Sequence, residues 1–73
     1  MQKISVIVGF SIIQDPRPLK IKYEDEYIDI EKAILTSKYK NLICYRCRSI
    51  TENKYLDYEL LFYKESSSWY IKD

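Results

Sequence analysis

Apolar and polar side chains alternate along the second half of the chain, with the period of two that is typical of half-buried β-strands. The pattern runs through "LICYRCRSI" at residues 42–50 and returns in "YLDYELLFYK" at residues 55–64. Between the two runs lies a short polar segment, "TENK", which contains Asn53. Two alternating runs joined by such a turn predict a β-hairpin.

The register of this hairpin follows from the side chains that it would pair. If the turn closes at Glu52 and Asn53, apolar groups meet on one face and opposite charges meet on the other, which stabilises a sheet. A slip by one residue would set arginine against leucine, so the pattern favours a single register. The predicted apolar pairs are Ile43–Phe62, Tyr45–Leu60 and Cys47–Tyr58, and the predicted charge pairs are Arg46–Glu59 and Arg48–Asp57.

A second hairpin is predicted upstream, in "LKIKYEDEYIDIEK" at residues 19–32. We place its turn at Asp25 and Glu26, although no glycine marks the turn type. One face of this hairpin is again apolar, and the other again carries complementary charges. The predicted pairs are Tyr23–Ile28, Ile21–Ile30, Lys22–Asp29 and Lys20–Glu31.

Four shorter segments complete the pattern. "KISVIVGF" at residues 3–10 predicts a strand with a bulge or bend at Gly9, and "SWYIKD" at residues 68–73 predicts a short closing strand. The prolines of "DPRP" at residues 15–18 predict an extended loop. "DIEKAILTSKYK" at residues 29–40 is ambiguous: we favour a strand to about Leu35, with a helical turn as the alternative around residues 32–39.

These elements predict a mainly β fold. We expect a single small domain over residues 1–73, with five to six antiparallel strands curled into a small barrel or a strongly twisted sheet. A domain of this size buries only about 60% of the surface of its unfolded chain. The eight tyrosines, two phenylalanines and one tryptophan supply large side chains for such a small core.

The opening "MQKISVIVGFSII" resembles a signal peptide, but no small-residue cleavage motif follows it. No run approaches the roughly 20 apolar residues that a membrane-spanning helix needs. We therefore expect a cytoplasmic protein that begins with a buried strand and has no membrane partner.

The only cysteines, Cys44 and Cys47, form a C-x-x-C motif inside the predicted hairpin. An odd step along a strand points them to opposite faces. Their Cα atoms would lie roughly 10 Å apart, beyond disulfide reach. Zinc needs further ligands, and the chain contains no histidine. The sequence predicts two unlinked thiols, no metal and no cofactor.

Catalytic chemistry finds little support in the composition. Without histidine, the usual general base for a serine or cysteine nucleophile is missing. One glycine cannot build a phosphate-binding loop. The acidic residues 24–31 are better explained as a solvated charged hairpin than as a cation site. We predict that the protein is not an enzyme and has no catalytic residues.

One face of the main hairpin mixes apolar groups with the charge pairs. Either the chain covers its apolar part, with the first strand, Trp69 or a short helix, or the part is exposed and marks an interface. We predict a protein-binding surface with aromatic and aliphatic anchors and a basic rim that attracts an acidic partner. The anchors are Leu42, Tyr55, Leu61, Tyr63 and Trp69, and the rim residues are Lys38, Lys40, Arg46 and Arg48.

A nucleic-acid-binding β-barrel is the alternative, because tyrosines are interleaved with these basic residues. The net charge of only +1 argues against it, as does the pairing of both arginines with carboxylates. The partner's identity and the oligomeric state are left open.

Three strand segments, "YRCRSI", "YELLFY" and "WYI", resemble a pattern in short uncharacterised proteins carried by bacterial phages and conjugative elements. The resemblance covers residues 20–72 and rests on strand cores, so it concerns the fold and no chemistry. It implies a small accessory protein that binds and blocks a host or defence protein.

Overall fold

The computed structural model describes residues 1–9 and 15–72. In this part of the chain the secondary structure consists of β-strands joined by turns. The strands are β1 (Gln2–Ile4), β2 (Val6–Gly9), β3 (Arg17–Tyr23), β4 (Glu26–Asp29), β5 (Lys32–Tyr39), β6 (Leu42–Thr51), β7 (Lys54–Tyr63) and β8 (Ser68–Lys72).

The strands form two antiparallel sheets. The larger sheet has five strands in the order β1-β8-β7-β6-β5, and the smaller has three in the order β2-β3-β4. The mainly β, antiparallel prediction is confirmed. The architecture differs from the predicted barrel or single twisted sheet, because within residues 1–9 and 15–72 each sheet is open and the two pack against each other.

The β6–β7 hairpin has the predicted register at every residue pair that the sequence proposed. Its two-residue turn places Glu52 at φ 49° and Asn53 at φ 63°. Positive φ at both central residues is the requirement of a type I′ turn, whose twist matches that of the flanking strands. A local turn and a strict period of two therefore define this hairpin.

The predicted register of the β3–β4 hairpin is wrong by two residues. The turn lies at Glu24 and Asp25, both with positive φ, and Ile21 pairs with Ile28. Lys20 consequently pairs with Asp29, at 2.9 Å between Nζ and Oδ1. A shift of two residues keeps every side chain on its face, so alternation alone could not distinguish the two registers.

The first strand is divided between the sheets. β1 pairs with β8 and β2 pairs with β3, with the break at Ser5. An irregularity occurs between Ile7 and Val8, next to the predicted bulge at Gly9. Phe10, the end of the predicted strand, lies outside the described residues, as does Asp73 at the end of the confirmed closing strand.

Two further predictions need correction. The "DPRP" segment is only partly a loop, because β3 begins at Arg17 and Pro18 is buried opposite Val8. Proline is tolerated at the start of a strand, where its missing N–H costs least. The favoured strand to about Leu35 is confirmed and extends further, since residues 32–39 form β5, whereas the alternative of a helical turn is wrong, because these residues pair with β6.

The core lies between the two sheets. The three-stranded sheet contributes Ile21, which is fully buried, and the larger sheet contributes the alternate residues of its long hairpin. Trp69 of β8 packs in this layer, with ring centroids 4.7 Å from Phe62 and 5.6 Å from Tyr45. We call this side of the five-stranded sheet the inner face and the opposite side the outer face.

Candidate binding surface on the outer face

Five strands contribute side chains to the outer face, because residues directly opposite each other in an antiparallel pair share a face. Along the β6–β7 hairpin this face has three parts: an apolar end around Leu61, a charged middle around Arg48 and a far end around Tyr55. The outer-face residues are Lys3, Lys32, Ile34, Ser37, Tyr39, Leu42, Cys44, Arg46, Arg48, Ile50, Tyr55, Asp57, Glu59, Leu61, Tyr63, Ser68, Tyr70 and Lys72.

The apolar end is built around Leu61. Leu61 lies between Cys44 on β6 and Tyr70 on β8, and it is only 7% exposed. Tyr63 and Tyr70 contact each other edge to face, with ring centroids 5.5 Å apart. Leu42 lies opposite Tyr63 and is partly buried. Leu61 is therefore buried among its neighbours, while Tyr63 and Tyr70 stay partly exposed.

The charged middle contains an ion pair made by two hydrogen bonds. Arg48 donates from Nε and Nη2 to the two carboxylate oxygens of Asp57, at 2.7 and 3.2 Å. This hydrogen bonding lowers the pKa of Asp57 and raises that of Arg48. A two-point contact of this kind fixes the guanidinium plane on the sheet surface.

Arg46 has a different environment from Arg48, which lies on the same strand. Its cross-strand partner is Glu59, as predicted, but the Glu59 carboxylate lies 3.9 Å from Lys72 Nζ on β8. Among the residues that the structure describes, no carboxylate forms an ion pair with Arg46. Arg46 thus keeps a guanidinium group available on the outer face.

Tyr55 and Ile50 form the far end. Tyr55 is 65% exposed, and the Arg48 guanidinium lies 4.5 Å from its ring centroid. An arginine held by a carboxylate and stacked on a tyrosine restricts that ring, which lowers the entropy cost of binding through it. Tyr55 is therefore an exposed and partly preorganised aromatic group.

The predicted surface residues separate into three groups. Leu42, Tyr55, Tyr63, Arg46 and Arg48 lie together on the outer face. Leu61 shares this face but is buried.

Trp69 does not belong to the surface, because it is 7% exposed and packs in the core on the inner face.

Two predicted basic residues lie away from the charged middle. Lys38 pairs with Ile43 on the inner side, and its Nζ is 2.8 Å from Asp15. Lys40 lies in the β5–β6 turn, and its Nζ is 5.2 Å from the centroid of the Tyr39 ring. Lys38 is thus partly neutralised at the sheet edge.

Sequence reasoning missed part of the surface. Tyr70, Tyr39 and Ile34 occupy the outer face but were not among the candidates. The signal for Tyr70 was its position next to Trp69, since neighbouring strand residues point to opposite faces. Ile34 and Tyr39 could not be placed because the β5 segment was ambiguous.

The outer face carries an excess of positive charge. Its strand residues include five cations, Lys3, Lys32, Arg46, Arg48 and Lys72, and two carboxylates, Asp57 and Glu59. The whole chain has a net charge of only +1. The composition therefore conceals a local excess that only the strand pairing reveals.

The two thiols point to opposite faces, as predicted. Cys44 pairs with Leu61 on the outer face, and Cys47 pairs with Tyr58 on the inner face. Burial raises the pKa of the Cys47 thiol to about 12, so this thiol carries almost no thiolate at neutral pH and is a poor nucleophile. Within the described ranges, no three histidine, cysteine or acidic side chains are grouped to hold a metal ion.

The polar groups of the core are paired. Ser49 Oγ and the Tyr58 hydroxyl lie 2.7 Å apart, and the Tyr45 hydroxyl donates to the Pro16 carbonyl. Burial raises the pKa of both tyrosines to about 12. These groups stay neutral at physiological pH, which suits a structural role.

The concave features of the surface are open grooves. One groove, of about 420 Å³, lies on the outer face beside β5 and is lined by Lys32, Ile34, Arg46, Arg48 and Asp57 as well as Cys47. Another lies near the apolar end, by Tyr63, Tyr70 and Asn41. Shallow, mixed surfaces of this kind suit a macromolecular partner better than a small ligand.

No protein-family model, curated protein or solved structure matches the chain. Among the described residues, no helix has the length and apolar character to cross a membrane.

Proposed function

We propose that this protein is a non-catalytic binding module that docks a protein partner on its outer face. The observation that carries the proposal is a sheet face on which Tyr55, Tyr63 and Tyr70 surround an arginine-rich middle. Tyrosine and arginine are among the residue types enriched at the energetically dominant positions of protein interfaces.

The resemblance to proteins of phages and conjugative elements extends this proposal to a biological setting. A small accessory protein of this kind would act by occupying a surface of a host or defence protein, without turnover. The excess of positive charge on the outer face favours an acidic surface on that partner.

Nucleic acid is the second candidate, because the same charge excess would attract phosphates. Two of the cations are engaged by carboxylates, Arg48 by Asp57 and Lys72 by Glu59, which reduces the field that a backbone would experience. We therefore regard nucleic acid as the second candidate, after a protein partner.

The first experiment is an affinity capture from the native host with three baits: wild type, Tyr55→Ala and Tyr27→Ala. Tyr27 is the matched control, since it is an exposed tyrosine on the three-stranded sheet. With the captured protein purified, we expect Tyr55→Ala to cost on the order of 2 kcal/mol of binding free energy. Tyr27→Ala should leave binding unchanged. Equal effects of the two substitutions would contradict the proposal.

The second experiment separates the two partner classes. Labelled single-stranded and duplex oligonucleotides are titrated at two salt concentrations. Micromolar binding at physiological salt that falls steeply as salt rises would favour the nucleic-acid candidate. Absence of binding would exclude the nucleic-acid candidate and leave the protein partner as the proposal.

A further inference from the structure

We propose that edge strand β5 accepts an extended acidic segment of the partner, which adds a sixth strand to the five-stranded sheet. The inference rests on the proposed function and specifies where and how the partner would bind. Addition of a strand to a sheet edge gives affinity through main-chain hydrogen bonds and specificity through alternate side chains.

The two edges of the five-stranded sheet differ in size. β1 forms one edge with three residues, whereas β5 forms the other with eight. Natural proteins usually keep edge strands short or cover them, because an open edge is a template for pairing. In the described part of the chain no strand pairs with the free side of β5, so this long edge is open.

Side chains on β5 are exposed on both faces. Ile34 on the outer face is 47% exposed, and Leu35 and Tyr39 are also exposed. Exposed apolar side chains such as these gain burial when a further strand lies beside them. The apolar groups of β5 thus favour an added strand.

The bulge in β5 limits regular pairing to part of the strand. The register shifts between Leu35 and Ser37, and the Thr36 hydroxyl donates to the Cys44 carbonyl at 3.3 Å. Bulges on edge strands are one of the devices that oppose uncontrolled pairing. Residues 32–35 offer the regular stretch, and the groove beside Ile34 and Arg46 lies next to it.

The positive charge on and beside β5 favours an acidic partner strand. Residues 32–40 contain three lysines and no acidic residue, and Arg46 and Arg48 lie on the neighbouring strand. Pairing of β5 with β5 of a second copy would bring four lysines to one seam, which like-charge repulsion opposes. An acidic partner strand would instead contact Lys32 and Arg46 in the adjacent groove, where Arg46 forms no ion pair with any residue that the structure describes.

The geometry also implies a pattern in the partner. Alternate side chains of an added strand would lie over the outer face beside Lys32 and Ile34. A segment with carboxylates at alternate positions and β-branched residues between them fits this edge.

The test uses fluorescently labelled synthetic peptides of eight residues, with the sequences EVEVEVEV, QVQVQVQV and KVKVKVKV. A fourth peptide repeats the acidic sequence with every second backbone nitrogen methylated, which blocks main-chain pairing and keeps the charge. Binding is measured by fluorescence anisotropy, and the site is located by amide hydrogen exchange of the full chain.

We expect the acidic peptide to bind roughly ten-fold more tightly than the neutral one at low salt, since charge complementarity speeds association. The methylated acidic peptide should lose binding. Amides of residues 32–39 should exchange more slowly in the complex. Equal binding of the methylated and unmethylated peptides, protection elsewhere in the chain, or no binding of the acidic peptide would overturn the inference.

Two variants of the protein test the role of Arg46: one changes Arg46 itself, and the other is the matched control. Arg46→Glu should weaken binding of the acidic peptide several-fold, whereas Lys22→Glu, an exposed cation on the three-stranded sheet, should not. If no peptide binds β5 while Tyr55→Ala still abolishes capture of the partner, this inference fails and the proposed function stands. If Tyr55→Ala has no effect and the acidic peptide binds, the proposed docking on the outer face fails instead.

Discussion

The two faces of the five-stranded sheet are made by the same strands and differ in almost every physical property. On β6 and β7, the inner residues Ile43 and Leu60 are fully buried, whereas Arg46 and Glu59 on the outer face are charged. The three-stranded sheet covers the inner face. Coverage of one face by a second sheet therefore divides a single hairpin into a core and a surface.

The faces also differ in how they treat ionisable groups. On the inner face, burial raises the pKa of Tyr45, Cys47 and Tyr58, so the neutral form is favoured. On the outer face, the hydrogen bonds between Arg48 and Asp57 favour the charged form of both groups. The inner face should therefore determine stability and the outer face binding.

The largest effect should come from a cavity on the inner face. Leu60→Ala should lower the free energy of unfolding by about 3 kcal/mol, because Leu60 is fully buried and its neighbours close the space only partly. Ile50→Ala on the outer face is the control and should cost less than about 0.5 kcal/mol. Urea denaturation followed by circular dichroism measures both, and similar costs would refute the assignment of the faces.

The second prediction concerns alkaline pH. Burial raises the pKa of Tyr45 and Tyr58 from 10.0 to about 12, and that of Cys47 from 9.0 to about 12. The unfolded chain therefore loses these protons first, and ionisation favours unfolding. The stability contribution of these groups should be complete below pH 9 and lost as pH rises to about 12.

Urea midpoints measured between pH 8 and 12 test this expectation. The decline should be smaller in a Tyr58→Phe variant, because one of the raised pKa values is removed. Midpoints that stay constant across the range would contradict the burial of these groups.

A smaller effect is expected from the buried hydroxyl pair. Tyr58→Phe leaves the fully buried Ser49 hydroxyl without its partner and should cost about 1–2 kcal/mol. Adding Ser49→Ala should recover much of this loss, because both polar groups are then removed together. Tyr55→Phe on the outer face is the control and should leave the urea midpoint unchanged. If the double variant is no more stable than Tyr58→Phe alone, the two hydroxyls do not form a stabilising hydrogen bond.

The smallest effect should come from the charges of the outer face. In double-mutant cycles, Arg48 and Asp57 should show a weak favourable coupling that decreases as salt is added, since both are exposed. Arg46 and Glu59, which are opposite in register but form no ion pair with each other in the described chain, should show none. Equal coupling in the two cycles would mean that register alone determines the interaction.

Of the candidate surface, sequence reasoning found the part that lies on the long hairpin. Leu42, Tyr55 and Tyr63 were placed on the correct face because alternation along β6 and β7 has no interruption. Trp69 was misplaced because a short terminal strand gives no indication of which face it turns inward. Contact with Phe62 and Tyr45 decides that question, and Tyr45 lies far from Trp69 in the chain.

The sequence by itself determined the β6–β7 hairpin, its register and the opposite directions of Cys44 and Cys47. These features depend on a short turn and on neighbouring residues, so local physical chemistry specifies them. It did not determine the exact β3–β4 register, because a shift of two residues preserves both faces.

Only the tertiary structure decided that the strands form two packed sheets, that the chain breaks at Ser5 between them, and that no strand of residues 1–9 and 15–72 pairs with the free side of β5. Each of these depends on which surfaces meet across the fold. Periodicity shows that a strand has an apolar side, but burial of that side is a property of the contacts between distant segments. The candidate binding surface is what these contacts leave uncovered.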